Sequence, residues 1–505
     1  MTDGGQGVSQ YSGRLLATLL ALAGLTPVPA HAQKGLAKRI DARLDAPPFA
    51  HQLWGVALLD DRGRLLYGRN ADRLFIPASN TKLIVTTVAT ALLPADWTVQ
   101  TSLYAAGPVV DSTVEGDLVL YGRGDPTFAR RCYDLDTTVA GACDQDPSER
   151  LRLLAAGLKA RGIRTIAGDL VGDGSYFEPL TIHPGWESYD LNWWYAAPVS
   201  GLGFNDNSLD LTWGPGAEGG PASIAVAPDL GDVVLENRSR TRAPSAEAGP
   251  PFDFFREPGS LQLWAEGSLP ADARGGTSYF ALPDPNLFAA RALRRVLAEA
   301  GIAVLGTTVS TTDSLKYRAA RQGEPLAEVT SRPLRDWIFP ILNTSQNWYA
   351  EMLLKQLGRQ FGKAGSWVEG LGVERRFLID SVGVDSTQFR LSDGSGLSSA
   401  NLVSPLAFAK LLQFIRRHPR YPVFAAGLPE SGKPGTLKNR FLGTPLEGRV
   451  KAKTGTTSLA STISGYLDAE GGRTLVFSIE GNHYTAPDRL MKAQLDSVVV
   501  DMARR

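Results

Sequence analysis

Residues 76–93 read IPASNTKLIVTTVATALL. Ser79 and Lys82 stand three apart, just ahead of a run that is apolar from Leu83 to Leu93 except for its threonines. Positions i and i+3 share a helix face, so the two side chains meet. Ser79 also faces the positive end of the helix dipole. A serine becomes a nucleophile when a base lies within hydrogen-bond reach. An ammonium among apolar residues is disfavoured, so a buried Lys82 can give up its proton and act as that base. The plain alternative is that Ser79 caps the helix and Lys82 snorkels to solvent. A Ser-x-x-Lys match arises about once by chance in a chain of this size, so the pair alone decides little.

Two later stretches add weight. Ser345-Gln346-Asn347 falls near the start of a helix 266 residues on, and Lys453-Thr454-Gly455 falls on a strand. Each residue type has a task. Ser345 and Lys453 can form a hydroxyl–ammonium bridge that relays a proton to a leaving group. Asn347 can hold a substrate amide. Lys453 and Thr454 can bind a terminal carboxylate. Gly455 would let a substrate backbone approach, where a side chain would not. An edge strand there can take an extended peptide by strand addition. The N–H groups of Ser79 and Thr456 are candidate oxyanion donors. The alternatives are a helix cap at Ser345 and Asn347, and a strand end at residues 453–455. The five histidines (His31, His51, His183, His418, His483) lie in no serine-hydrolase motif, and there is no Gly-x-Ser-x-Gly elbow, so a Ser-His-Asp triad is not indicated.

Composition limits the rest. The chain has 505 residues, 43% hydrophobic and 21% charged, which is the make-up of a globular protein of several domains. Lys+Arg and Asp+Glu are both 52, so nothing points to nucleic acid as a partner. Arg14, the apolar run 15–25 and Ala30-His31-Ala32 together read as a cleaved export signal over 1–32, which implies a periplasmic protein. The apolar run is too short to span a bilayer. In an oxidising compartment Cys132 and Cys143 could close a small loop, and the alternative is two unpaired thiols. Their spacing fits no zinc site.

Along the chain, a hairpin over 53–70 precedes the Ser79 helix. Residues 97–290 are mostly strands, with a helix over 148–163. Helices return at 286–302, 343–362 and 404–418. Strands at 448–455, 461–469 and 473–481 lead to a terminal helix over 487–503. This pattern predicts an α+β fold, an antiparallel sheet flanked by helices. The first hairpin would join the C-terminal strands, with a large mainly-β insertion between. The expected division is a discontinuous domain over 33–96 and 319–505, an inserted domain over 97–122 and 209–318, and a nested domain over 123–208.

The three motifs, with GRGDPTF (122–128), GDGSYF (172–177), WWYAAPVSGLGFNDN (193–207), SDGSGLSSANLVSP (392–405) and GTLKNRF (435–441), resemble the class C low-molecular-mass penicillin-binding proteins. These are D-alanyl-D-alanine carboxypeptidases/endopeptidases with the serine β-lactamase/penicillin-binding transpeptidase fold. The resemblance implies hydrolysis of D-Ala-D-Ala termini or D-Ala–mDAP-type cross-links of peptidoglycan stem peptides through a Ser79 acyl-enzyme, with β-lactams as inhibitors. It implies catalytic roles for Ser79, Lys82, Ser345, Asn347 and Lys453, support from Thr454 and Thr456, and no metal or organic cofactor. Asp190 and Trp193 are candidates for reading the stem-peptide side chain, the alternative being packing within the insertion. Asp393 and Ser395 are expected to shape a turn behind the site. The competing readings are a β-lactamase or esterase on the same fold, and a non-catalytic cell-wall binding protein. The balance of carboxypeptidase and endopeptidase action, the third stem-peptide residue and dimer formation are left open.

Overall fold

The structure, a computed structural model, describes residues 30–128, 146–231, 233–257, 259–469 and 471–504. Most of the export segment expected over 1–32, and both Cys132 and Cys143, lie outside the described residues. No described helix is long and apolar enough to cross a membrane.

A five-stranded antiparallel sheet organises the chain's two ends. Its order is Leu65–Arg69, Leu53–Leu59, Arg473–Asn482, Ala460–Ala469, Val450–Thr456. The first hairpin pairs directly with a C-terminal strand, from Leu53 opposite Asn482 to Leu59 opposite Val476. Both faces of this sheet are covered, which is why Leu53–Leu59 is apolar throughout rather than alternating. Ala57, Leu59, Tyr466 and Val476 face the helices Lys82–Leu92, Asn347–Phe361 and Pro405–Arg417. Val56, Leu58, Ile463 and Phe477 face Leu36, Ile40 and Leu44 of helix Ala30–Leu44 and Leu495, Val498 and Met502 of helix Asp488–Ala503. The sequence of the Ala30–Leu44 helix is rich in basic residues. Its buried residues recur every four positions, as an amphipathic helix requires.

The insertion is built on a second five-stranded sheet, ordered Thr308–Thr311, Leu170–Asp173, Leu118–Gly122, Gln100–Ala105, Ala327–Thr330. Strand pairing crosses the expected boundaries at 123, 208 and 318. Leu170–Asp173 runs parallel between Leu118–Gly122 and Thr308–Thr311, and Ala327–Thr330 pairs with Gln100–Ala105. Parallel neighbours need long crossovers, here carrying helices Glu149–Ala160 and Pro285–Glu299, so sequence order does not give the partners. The strands that stand apart lie instead between Ser208 and Ala281. They form small sheets around Leu211, Phe254, Leu263 and Phe280.

Candidate active site

Ser79 lies in a single 3-10 turn, Ala78–Thr81, that runs into helix Lys82–Leu92. No side chain caps either element. Lys82 is fully buried. Neither plain alternative therefore holds: Ser79 is not a helix cap and Lys82 does not reach solvent. Ala78 has φ +47°, a region that disfavours residues with a Cβ. Its carbonyl packs against Gly396 so closely that a Cβ there would lie 1.8 Å from the oxygen.

Lys82 Nζ makes three short contacts: Asn347 Oδ1 at 2.6 Å, the Ser395 carbonyl at 2.7 Å and Ser79 Oγ at 2.9 Å. Burial lowers its pKa to about 7, while the charges of Asp393 and Glu351 hold it from falling further. A neutral amine has two N–H groups and one lone pair. Two of the contacts are obligate acceptors, and the third is a hydroxyl that can donate. The three contacts suit the ammonium, which donates to all of them, and equally the neutral amine, which donates to the two obligate acceptors and turns its lone pair to the Ser79 hydroxyl.

Lys453 Nζ donates to Ser345 Oγ at 2.9 Å and to the Thr454 carbonyl at 2.6 Å. It too is buried, and burial followed by the Lys82 charge pushes its pKa well down. Ser345 sits at φ +65° in the turn between helices Leu334–Leu342 and Asn347–Phe361. Gln346, not Ser345, caps the second helix, accepting from Trp348 N.

The strand Val450–Thr456 is the edge of its sheet. Ala452 N–H points outward, to the Pro429 carbonyl. Alternation then turns the N–H and C=O of Thr454 and Thr456 outward, where no strand follows. Gly455 has a reason to be glycine within the fold itself. A Cβ there would lie 2.4 Å from Thr462 Oγ1, 2.8 Å from the Pro77 carbonyl and 2.9 Å from Ser79 N. The glycine lets the strand close onto the nucleophile's own backbone.

The Asn347–Phe361 helix carries a buried polar stripe at i+4 spacing. Asn347 Nδ2 donates to the Tyr195 carbonyl. Glu351 accepts from Ser395 N, Gly394 N and Trp367 Nε1, and burial raises its pKa. Lys355 donates to the Leu180 carbonyl and lies 3.3 Å from Glu178. Asp393 accepts from Gly396 N, Ser398 N, Asn401 Nδ2 and Trp186 Nε1. Asp393 and Glu351 thus fold residues 393–398 into the shape that aims the Ser395 carbonyl at Lys82. Sequence reading placed Asp393 and Ser395 behind the site, as found. It missed Glu351, whose signal was the Asn347/Glu351/Lys355 spacing.

Asp190 and Trp193 are not among the residues that line the cleft at Ser79. Trp193 packs edge-on against Phe280 in the insertion's small core, with ring centroids 5.8 Å apart. Asp190 accepts from Tyr195 Oη at 3.0 Å, and burial raises its pKa. Tyr195 links Asp190 to the site, since its carbonyl accepts from Asn347 Nδ2.

A serine and a buried lysine under an edge strand, with a second serine–lysine pair opposite, define a penicillin-binding-type acyl-transfer site on an α+β fold. The model of the D-Ala-D-Ala carboxypeptidase 3 (S13) family matches residues 36–501, and the chain belongs to that family. A D-alanyl-D-alanine carboxypeptidase of Actinomadura sp. (strain R39) is 32% identical over 520 residues, covering 99% of this chain and 91% of that protein. A D-alanyl-D-alanine carboxypeptidase of Haemophilus influenzae is 24% identical, with 85% of each chain covered. The crystal structure of penicillin binding protein 4 from Haemophilus influenzae shares the fold. Its TM-score is 0.77 at 23% identity, over 92% of this chain and 98% of that one. The chain is accordingly a serine-type D,D-peptidase.

Proposed function

We propose that Ser79 is the nucleophile of this peptidase and Lys82 its base. The observation that carries this is the set of three contacts at Lys82 Nζ: two obligate acceptors and the Ser79 hydroxyl. Lys82 takes the hydroxyl proton as Ser79 Oγ bonds to the carbonyl carbon of the penultimate D-alanine. The oxyanion is met by the N–H groups of Ser79 and Thr456, which the Gly455 contact brings near each other. The C–N bond then breaks as the proton taken by Lys82 passes to the leaving amine by way of the Lys453–Ser345 pair, which leaves Lys82 neutral again. Water then gives a proton to Lys82 as its oxygen bonds to the ester carbon, and Lys82 returns that proton to Ser79 Oγ as the C–O bond breaks, releasing the acid and restoring Ser79.

The substrate lies as an added strand along Thr454–Thr456, and Asn347 and Thr454 orient its amide and carboxylate. Peptidoglycan stem peptides are the substrates and β-lactams the acylating inhibitors. Export to the periplasm through residues 1–32 fits such a substrate. Among the described residues, Asp496 is the one carboxylate lining the cleft, and Arg440 holds it at 2.6–2.9 Å. It is not free to activate water, which favours a peptidase over a β-lactamase.

The test is release of D-alanine from a peptide ending in D-Ala-D-Ala. The wild type releases it and Ser79→Ala does not. Release by Ser79→Ala, or none by the folded wild type, would refute the assignment.

A further inference from the structure

The cleft at Ser79 has a volume of about 660 Å³, the size that takes drug-sized ligands and far more than one released alanine fills. From Ser79, Ser345 and Thr454 it runs past the loop 435–440 to the start of helix Asp488–Ala503. That loop adjoins the Ser345 turn. Thr436 N donates to the Asn343 carbonyl, and Gly435 packs on the Asn343 side chain. Ser345 and Thr454 are the residues assigned to the departing amine and its carboxylate. This arm of the cleft is therefore the leaving-group side.

Its wall is basic. Lys438, Arg440, Arg489 and Lys492 line it against Asp496 alone. Arg440 takes both Asp496 oxygens. Lys492 stands four residues from Asp496 on one helix face, the natural spacing for a pair, yet Arg440 occupies that carboxylate. Among the described residues, Lys438, Arg489 and Lys492 form no salt bridge. Arg489 also sits in the first turn of its helix, where the dipole disfavours a cation. Lys438 and Arg489 are exposed and Lys492 is half-buried, so all three ammonium and guanidinium groups are open to an anionic ligand in this arm of the cleft.

We propose that Lys438, Arg489 and Lys492 form a leaving-group subsite for a carboxylate-rich peptide, which makes cross-link cleavage the favoured reaction of this enzyme. A D-Ala-D-Ala terminus releases an amine with one carboxylate, which Thr454 holds. A cross-link releases a whole stem peptide, whose further carboxylates reach the basic wall. The inference rests on Ser79 being the acylated nucleophile.

The experiment compares kcat/KM for a monomeric peptide ending in D-Ala-D-Ala with kcat/KM for a cross-linked dimeric muropeptide. Acylation by a fluorescent penicillin is followed alongside, as a report on the folded Ser79 site. In K438Q/R489Q/K492Q the ratio of dimer to monomer cleavage falls about tenfold or more. In the wild type, added salt slows dimer cleavage more than monomer cleavage. The single variants Lys438→Gln and Lys492→Gln give smaller falls in the same direction and keep the test readable if the triple variant does not fold. An unchanged ratio overturns the subsite. So does a wild type that acylates normally but leaves the dimer intact. A wild type that is not acylated at all fails at the nucleophile instead, and takes the subsite with it.

Discussion

Lys82 Nζ lies 2.9 Å from Ser79 Oγ, and its two shorter contacts go to atoms that can only accept. When Lys82 is neutral, the one direction left for its lone pair is the nucleophile.

The first prediction is a pH profile. With Lys82 held at about 7, acylation of Ser79 by penicillin rises with unit slope below pH 7 and levels off above it. Lys82→Arg keeps a cation but never loses its proton, and its acylation rate falls by about 10²–10⁴. Stopped-flow acylation from pH 5 to 9 measures both. A flat profile would assign the base elsewhere.

Asn347→Ala removes one acceptor from the Lys82 ammonium. Losing a partner of the charged form lowers the lysine pKa further. The rising limb of the profile moves to lower pH, while the plateau falls by about a hundredfold as the amine loses its alignment. A lower plateau with an unmoved limb would confine Asn347 to substrate binding.

Gly455→Ala separates two reasons for a glycine on the edge strand. The added methyl meets Thr462, Pro77 and Ser79 atoms within 3 Å, so the free enzyme loses on the order of 1–3 kcal/mol along with its activity. If clearance for substrate were the reason, thermal unfolding without ligand would not change.

Glu374 is buried behind the site, and neither of its oxygens has a hydrogen-bond partner among the described residues. Burial, then the Glu351 and Asp393 charges, raises its pKa well above the usual carboxyl value. Its folded pKa lies above its unfolded one, so its contribution is full below pH ~4.5 and is lost as pH rises through the folded value. Glu374→Met removes that loss. The variant's Tm gains on the wild type between pH 5 and pH 8, where each pH unit is worth up to about 1.4 kcal/mol. A constant difference would contradict a protonated Glu374.

The catalytic residues were legible because each motif packs its chemistry into a few adjacent positions. Ser79 and Lys82 needed only helix geometry, and the C-terminal strands only period-two patterning and a turn. What escaped was set by long-range contact. The Ser395 carbonyl reaches Lys82 across 313 residues, and Tyr195 joins Asn347 across 152. No local period encodes either. Strand partners in the insertion are hidden for the same reason: the buried run Leu170–Asp173 marks a strand but does not say that its neighbours are 118–122 and 308–311. Trp193 could be read from the sequence only as an aromatic residue, which serves both recognition and cores, and its contact with Phe280 is likewise long-range.

The central claim is a covalent bond at Ser79. Intact-mass spectrometry of the purified protein after exposure to a fluorescent penicillin, followed by peptide mapping, tests it directly. The account predicts one stable adduct on the peptide holding Ser79, absent from Ser79→Ala. A folded wild type that takes no label, or an adduct that persists in Ser79→Ala, would contradict it.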